Sequence, residues 1–245
     1  MAQLVIDIGN TFTKIAVFNG SYLLGVGNYM QVHDYDVSQL FETHIITTAI
    51  ISTVKKEKDA WLGTLEERVK VQYFNRDMAQ GIHNHYSTPH TLGLDRLAGI
   101  MGARYLYPED DNLVIDTGTC ITYDGVDAGA NYYGGSISPG LQMRYKALQQ
   151  YTSVLPLVKA DAGFNNYYGH DTETAIRSGV QNGILYEVQG FINSYNKQEK
   201  HLNIILTGGD SVFLDTVLKN SIFAGYIKTE PYLVLQGLNA AIQEQ

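Results

Sequence analysis

A single cysteine occurs in 245 residues, so no intrachain disulfide is available and a reducing compartment is expected. Charge is scarce too. Asp, Glu, Lys and Arg make up 17% of the chain, below the roughly 25% of ordinary soluble domains, and neither sign forms a block. Positive charge is scarcer still: 17 Lys and Arg stand against 25 Asp and Glu, a net charge of −8. Without clustered cations to neutralise phosphates, a general nucleic-acid binder is excluded. Nor does any run approach the ~18 apolar residues that a bilayer crossing requires; the most apolar stretch, 45–54, carries three Thr and a Ser. The opening Met-Ala-Gln-Leu-Val-Ile-Asp has no basic segment and does not read as a secretory signal, so a cytoplasmic protein without a membrane partner is expected. Neither a Walker A sequence nor a Gly-x-Gly-x-x-Gly fingerprint is present, which argues against P-loop and Rossmann nucleotide sites. What the chain does have is 44% hydrophobic residues, enough for a sizeable core in one large domain or two small ones.

The chain repeats itself once. Residues 4–9 read Leu-Val-Ile-Asp-Ile-Gly and residues 113–118 read Leu-Val-Ile-Asp-Thr-Gly. Each copy is an apolar run ending in Asp, a Gly-containing polar turn and a second apolar run, Ile15 to Phe18 or Ile121 to Tyr123. That is a strand, tight turn and returning strand in each half. Further strands are expected at 21–30, 45–51 and 203–206, and helices at 55–69, 93–107, from Pro139, from Asp171 through Ile192, after Gly209, and from Pro231. Mixed strands and helices with a duplicated hairpin predict an α/β fold of two similar halves. The polar Pro108-Glu109-Asp110-Asp111 puts their boundary near 110, giving halves 1–110 and 111–245.

The first hairpin, Asp7-Ile8-Gly9-Asn10-Thr11-Phe12-Thr13-Lys14, exposes backbone N–H groups and hydroxyls that suit phosphate oxygens. Its Asp7 ends an apolar strand, where a carboxylate can hold Mg²⁺ through water, and Lys14 adds a cation; an ordinary turn with a solvated Lys is the plain alternative. The second hairpin offers Asp116, Thr117 and Thr119, and a third Gly loop, Thr207-Gly208-Gly209-Asp210, follows a strand. Gly93-Leu94-Asp95-Arg96 opens a helix. It reads either as an acid favoured by the helix dipole beside a solvated Arg, or as a carboxylate base beside an anion-gripping guanidinium. Three His within 83–90 lack a converging further ligand and read as a polar loop; Cys120 reads as a small packing residue. The 18 tyrosines, Tyr132-Tyr133 and Tyr167-Tyr168 among them, are candidates for a subunit interface.

In this order the pieces resemble type III pantothenate kinase, a family of the actin-like and sugar-kinase superfamily of duplicated folds. The resemblance rests on Asp7 to Lys14, on Tyr86 and Pro89 leading into Gly93 to Arg96, and on Asp116-Thr117-Gly118-Thr119. It continues through 134–140, Thr172 with Ala175, Ile176 and Gly179, then 206–209 and 233–238. It implies two ribonuclease-H-like, actin-like ATPase halves with an active-site cleft between them. It also implies transfer of the γ-phosphate of ATP to the primary hydroxyl of pantothenate, the first step of coenzyme A biosynthesis. By the resemblance, Asp7, Ile8, Gly9, Asn10, Thr11, Phe12, Thr13, Lys14 and Thr119 bind ATP with Mg²⁺, and Asp95 is the general base. Tyr86, Gly93, Leu94, Asp95, Arg96 and Thr172 contact pantothenate, and Asp116 binds K⁺ or NH₄⁺. A homodimer is implied, with Thr172 serving the neighbouring subunit. Two positions depart from the pattern: Cys120 stands where Ala is expected and Gln236 where an acid is common. A same-fold kinase for another small hydroxylated or acidic metabolite, or a non-catalytic nucleotide-binding regulator, is the alternative reading.

Overall fold

Alternating and continuous apolar runs in the first hundred residues build a five-stranded sheet. The protein was analysed as a computed structural model, which describes residues 1–53, 55, 57–196, 202–218 and 222–243. The chain divides into two compact units, Met1–Pro108 with Tyr232–Gln245, and Glu109–Pro231.

In the first unit the elements run β1 (Ala2–Ile8), β2 (Thr13–Asn19), β3 (Tyr22–Tyr29), α1 (Asp34–Thr43), β4 (Ile46–Thr53), α2 (Trp61–Glu66), β5 (Lys70–Tyr73), β6 (His83–Asn84) and α3 (Leu94–Leu106). Strands β1, β2 and β3 form an antiparallel meander, and β4 and β5 add in parallel, giving the order β3-β2-β1-β4-β5. Leu4, Ile6, Ile8, Ile15, Val17, Ala49 and Ile51 bury one apolar layer with Trp61, Leu62 and Leu65 of α2. Because strand side chains alternate, this layer leaves Val5, Asp7, Ala16, Ile50 and Ser52 on the opposite face.

The second unit contains β7 (Asp111–Thr117), β8 (Cys120–Val126), β9 (Asn131–Pro139), α4 (Leu141–Gln150), α5 (Thr172–Arg177), a π-helical turn at Ser178–Asn182, α6 (Gly183–Tyr195), β10 (Leu202–Thr207), α7 (Ser211–Leu218) and β11 (Ile227–Thr229). Within this unit the order is β11-β10-β7-β8-β9, with β7 antiparallel to β8 and parallel to β10. The first unit's plan is repeated strand for strand.

The last helix, α8 (Leu233–Gln243), packs on β1, β4 and α3. Gly102 of α3 and Gly237 of α8 let the two backbones meet; a Cβ at either glycine would overlap the other helix. The expected second half, 111–245, runs through this helix, whereas the contacts return Tyr232–Gln245 to the first unit.

Local expectations differ at three places. Pro139 does not open a helix but ends β9 opposite Cys120, and α4 starts at Leu141 after Gly140. The helix expected over 55–69 contracts to Trp61–Glu66, because residues 55 and 57–60 bury no side chain; 54 and 56 lie outside the described residues. Tyr132, grouped with the interface candidates, is instead fully buried and donates its hydroxyl to Asp124 at 2.9 Å. Among the described residues, no helix is long and apolar enough to cross a membrane.

Candidate active site

Strand register places polar side chains in one row across the end of the first sheet. Asn28 pairs with Lys14, Lys14 with Asp7, and Asp7 with Ser52. In-register partners share a face, so Lys14, Asp7 and Ser52 project together from a sheet otherwise filled by apolar residues. The turn joining β1 to β2 is closed by the Gly9 N–H donating to the Phe12 carbonyl at 3.0 Å. Asn10, Thr11 and Phe12 are exposed, Ile8 and Thr13 are buried, and Lys14 is partly buried.

Burial pushes the Asp7 carboxyl up from 3.8 to about 6. The Lys14 ammonium works against that rise, while the Asp95 carboxylate adds to it. A carboxylate whose charge is this poorly compensated is suited to a cation. Among the described residues no three His, Cys, Asp or Glu side chains gather into a metal cage. A lone buried carboxylate such as Asp7 fits Mg²⁺ in the way phosphate-bearing sites usually hold it, with water and phosphate oxygens as the other ligands.

The Asp95 segment belongs to the same unit. Gly93 caps α3, and the Asp95 side chain folds back so that Oδ1 accepts the Arg96 backbone N–H at 2.9 Å. A Cβ on Gly93 would overlap that carboxylate in its present position and push it aside. The Arg76 guanidinium donates to the Leu92 carbonyl at 2.8 Å and ties down the approach to the helix. Arg96 is buried to 9% exposure, with its guanidinium 5.9 Å from the centroid of the Tyr86 ring. Leu94 is partly buried beside it.

The second unit repeats the row with different chemistry. Asp116 pairs with Thr122 on β8 and with Thr207 on β10, and Ile137 lies beyond Thr122. Thr122 thus occupies the register place that Lys14 holds in the first unit. The turn is closed by the Gly118 N–H donating to the Cys120 carbonyl at 3.0 Å, and Thr119 at its tip is exposed. Gly208 has φ of +90°, and a Cβ there would overlap Asp116 Oδ1 and the Thr117 backbone. The Asp210 N–H donates to the Thr117 carbonyl at 2.9 Å, and burial raises the Asp210 carboxyl above its ordinary value. Thr172 is exposed at the first position of α5, whose cap is Asp171 accepting the Thr174 N–H at 2.8 Å.

Asp7 to Lys14 and Tyr86 to Arg96 therefore lie in the first unit, and Asp116, Thr119 and Thr172 in the second. His83, His85 and His90 are exposed, and Cys120 is partly buried. Sequence reading missed Ser52. The signal was a β-rich run ending in hydroxyls, Ser52-Thr53, as the first strand ends in Asp.

Comparison with known proteins bears on the whole chain. The model of the type III pantothenate kinase family matches residues 3–194. A type III pantothenate kinase of Flavobacterium johnsoniae is 42% identical over 225 residues, covering 90% of this chain and 91% of that protein. One of Bacteroides fragilis is 42% identical over 245 residues, covering 97% and 96%. Among solved structures, the activator of 2-hydroxyisocaproyl-CoA dehydratase from Clostridium difficile, with bound ADPNP, superposes with a TM-score of 0.57 at 12% identity, covering 99% of this chain and 94% of that one. Component A of the (R)-2-hydroxyglutaryl-CoA dehydratase of Acidaminococcus fermentans does so with a TM-score of 0.53 at 14% identity, covering 99% and 97%. At such identities the structures speak for the actin-like fold alone.

Proposed function

The chain belongs to the type III pantothenate kinase family, and from that premise we propose that Asp95 is the general base of its phosphoryl transfer. The enzyme uses ATP to phosphorylate pantothenate, the first step of coenzyme A biosynthesis. The observation that supports the assignment of Asp95 is its setting: its carboxylate is held in the first turn of α3 by the Arg96 N–H, next to a buried guanidinium suited to an anionic substrate. We assign Asp7 to the phosphates and Asp95 to the hydroxyl that attacks them.

In this reading the turn from Asp7 to Lys14 receives the ATP phosphates through backbone N–H groups and hydroxyls, with Lys14 neutralising charge. Asp7 holds Mg²⁺, which when bound neutralises charge on the phosphate oxygens. Asp95 accepts the proton of the primary hydroxyl as the new O–P bond forms and the bond to the ADP oxygen breaks. Its carboxylate is kept in place by the Arg96 N–H, and the absence of a side chain on Gly93 leaves it room. The buried Arg96 guanidinium, 5.9 Å from the Tyr86 ring centroid, suits the substrate's carboxylate in a protein of net charge −8. Leu94 and Thr172 complete the pantothenate contacts, and Thr119 those to ATP. Asp116 takes K⁺ or NH₄⁺; that Thr122 holds the register place of Lys14 supports a task different from that of Asp7. A homodimer is supported by exposed Tyr133, Tyr167 and Tyr168.

Asp95→Asn preserves shape and removes the proton acceptor. We expect kcat to fall about 10²- to 10⁴-fold with ATP affinity little changed, measured by steady-state kinetics and nucleotide titration. A variant keeping more than about a tenth of wild-type kcat is incompatible with a general base at this position.

A further inference from the structure

Ser52 is the last buried residue of β4, with 1% exposure, and its hydroxyl has no hydrogen-bond partner. A buried polar group without a partner is costly, and such groups persist where they serve a function. Its position gives that function a target. Ser52 is the in-register partner of Asp7 on the adjacent parallel strand, on the same face and in the same row as Lys14. Directly paired residues have Cβ atoms roughly 5 Å apart, within reach of a side-chain hydrogen bond after a rotamer change, or of one bridging water.

The second unit carries the same device. Thr207 of β10 is the in-register partner of Asp116 and is equally buried. Both copies of the duplicated strand set therefore place a hydroxyl residue beside the carboxylate, at the end of matching apolar runs, Ile50-Ile51-Ser52 and Ile205-Leu206-Thr207. Ligating carboxylates are commonly oriented by such outer hydrogen bonds, which fix which oxygen faces the cation.

We propose that Ser52 is a positioning residue for Asp7: its hydroxyl donates to one oxygen of the Asp7 carboxylate and aims the other at the metal–nucleotide complex. Lys14 flanks the carboxylate on one side as a cation, and Ser52 flanks it on the other as a neutral donor. The inference rests on the reading of Asp7 as the residue that meets Mg²⁺ and ATP.

The test is an equilibrium titration of the full-length protein with ATP in Mg²⁺ and with ATP in EDTA, comparing wild type, Ser52→Ala and Ser52→Thr, with a thermal melt of each. Ser52→Ala should weaken Mg·ATP binding about tenfold while metal-free ATP changes less than about twofold. Without ligand, its melting temperature should be equal to or above that of wild type, because the hydroxyl has no partner in the ligand-free protein and donates to Asp7 only when the metal–nucleotide complex is bound. Ser52→Thr keeps the donor, in the form that the second unit uses, and should recover Mg·ATP binding to within about threefold. Unchanged Mg·ATP binding in Ser52→Ala would overturn the proposal. Equal losses with and without Mg²⁺, or a lower melting temperature with no recovery in Ser52→Thr, would do the same by making Ser52 a packing residue. Failure of wild type to phosphorylate pantothenate would instead refute the functional reading and leave the Mg·ATP comparison intact.

Discussion

Asp7 costs the fold stability for the sake of its charge, and Asp7→Asn should expose that cost. Its carboxyl titrates near 6 in the folded protein against 3.8 as an ordinary side chain. The folded state thus binds more protons than the unfolded state between those values, and stability falls as pH rises from about 4 to about 6. A rise of about two units corresponds to up to about 3 kcal/mol at neutral pH. The cause is desolvation at the end of β1, incompletely offset by Lys14 and increased by Asp95. An Asn at position 7 has no charge to desolvate. In EDTA, the variant should therefore be more stable than wild type at pH 7.5 and should lose that advantage at pH 4. Denaturant unfolding at the two pH values measures the difference directly. The same variant should bind Mg·ATP poorly and be close to inactive, as expected where function is retained at the expense of stability. An Asp7→Asn protein no more stable than wild type at pH 7.5, or equally stabilised at both pH values, would refute the argument.

Two further outcomes follow from the sites. Asp116→Ala should abolish the rate increase that K⁺ or NH₄⁺ gives over Na⁺, read from initial rates in matched chloride salts; equal rates in all three salts for wild type would remove the cation from Asp116. Gly93→Ala should lower kcat by about tenfold or more with the fold retained, because its methyl displaces the Asp95 carboxylate, and kinetics with circular dichroism separate the two effects.

Much of this was legible in the sequence because the duplicated Leu-Val-Ile-Asp run is local. A strand ending in Asp followed by a Gly turn declares its own hairpin, and β1–β2 and β7–β8 form as that pattern requires. Gly93 and Asp95 could likewise be placed at a helix start, since capping is a matter of a few neighbouring residues. What remained hidden depends on pairing over long separations. The run ending in Ser52 and Thr53 marks a strand end, but the register that sets Ser52 beside Asp7, 45 positions earlier, is not written in any local pattern. The return of α8 to the first unit depends on Gly102 meeting Gly237, and the short β5 and β11 are strands chiefly because β4 and β10 offer them an edge. Pro139 misled for a related reason: a proline suits a helix's first turn and a strand's end equally well until the partner strand is known.

The central claim is that this chain moves a phosphoryl group from ATP to pantothenate. Phosphorus NMR of the purified protein with ATP, Mg²⁺, K⁺ and pantothenate tests it most directly. A phosphomonoester signal should grow in step with ADP, coupled to the methylene protons of the former primary alcohol, and should be absent without pantothenate or with Asp95→Asn over the same interval. Wild-type protein that leaves pantothenate unmodified while ATP is consumed, or that consumes no ATP at all, would contradict the account.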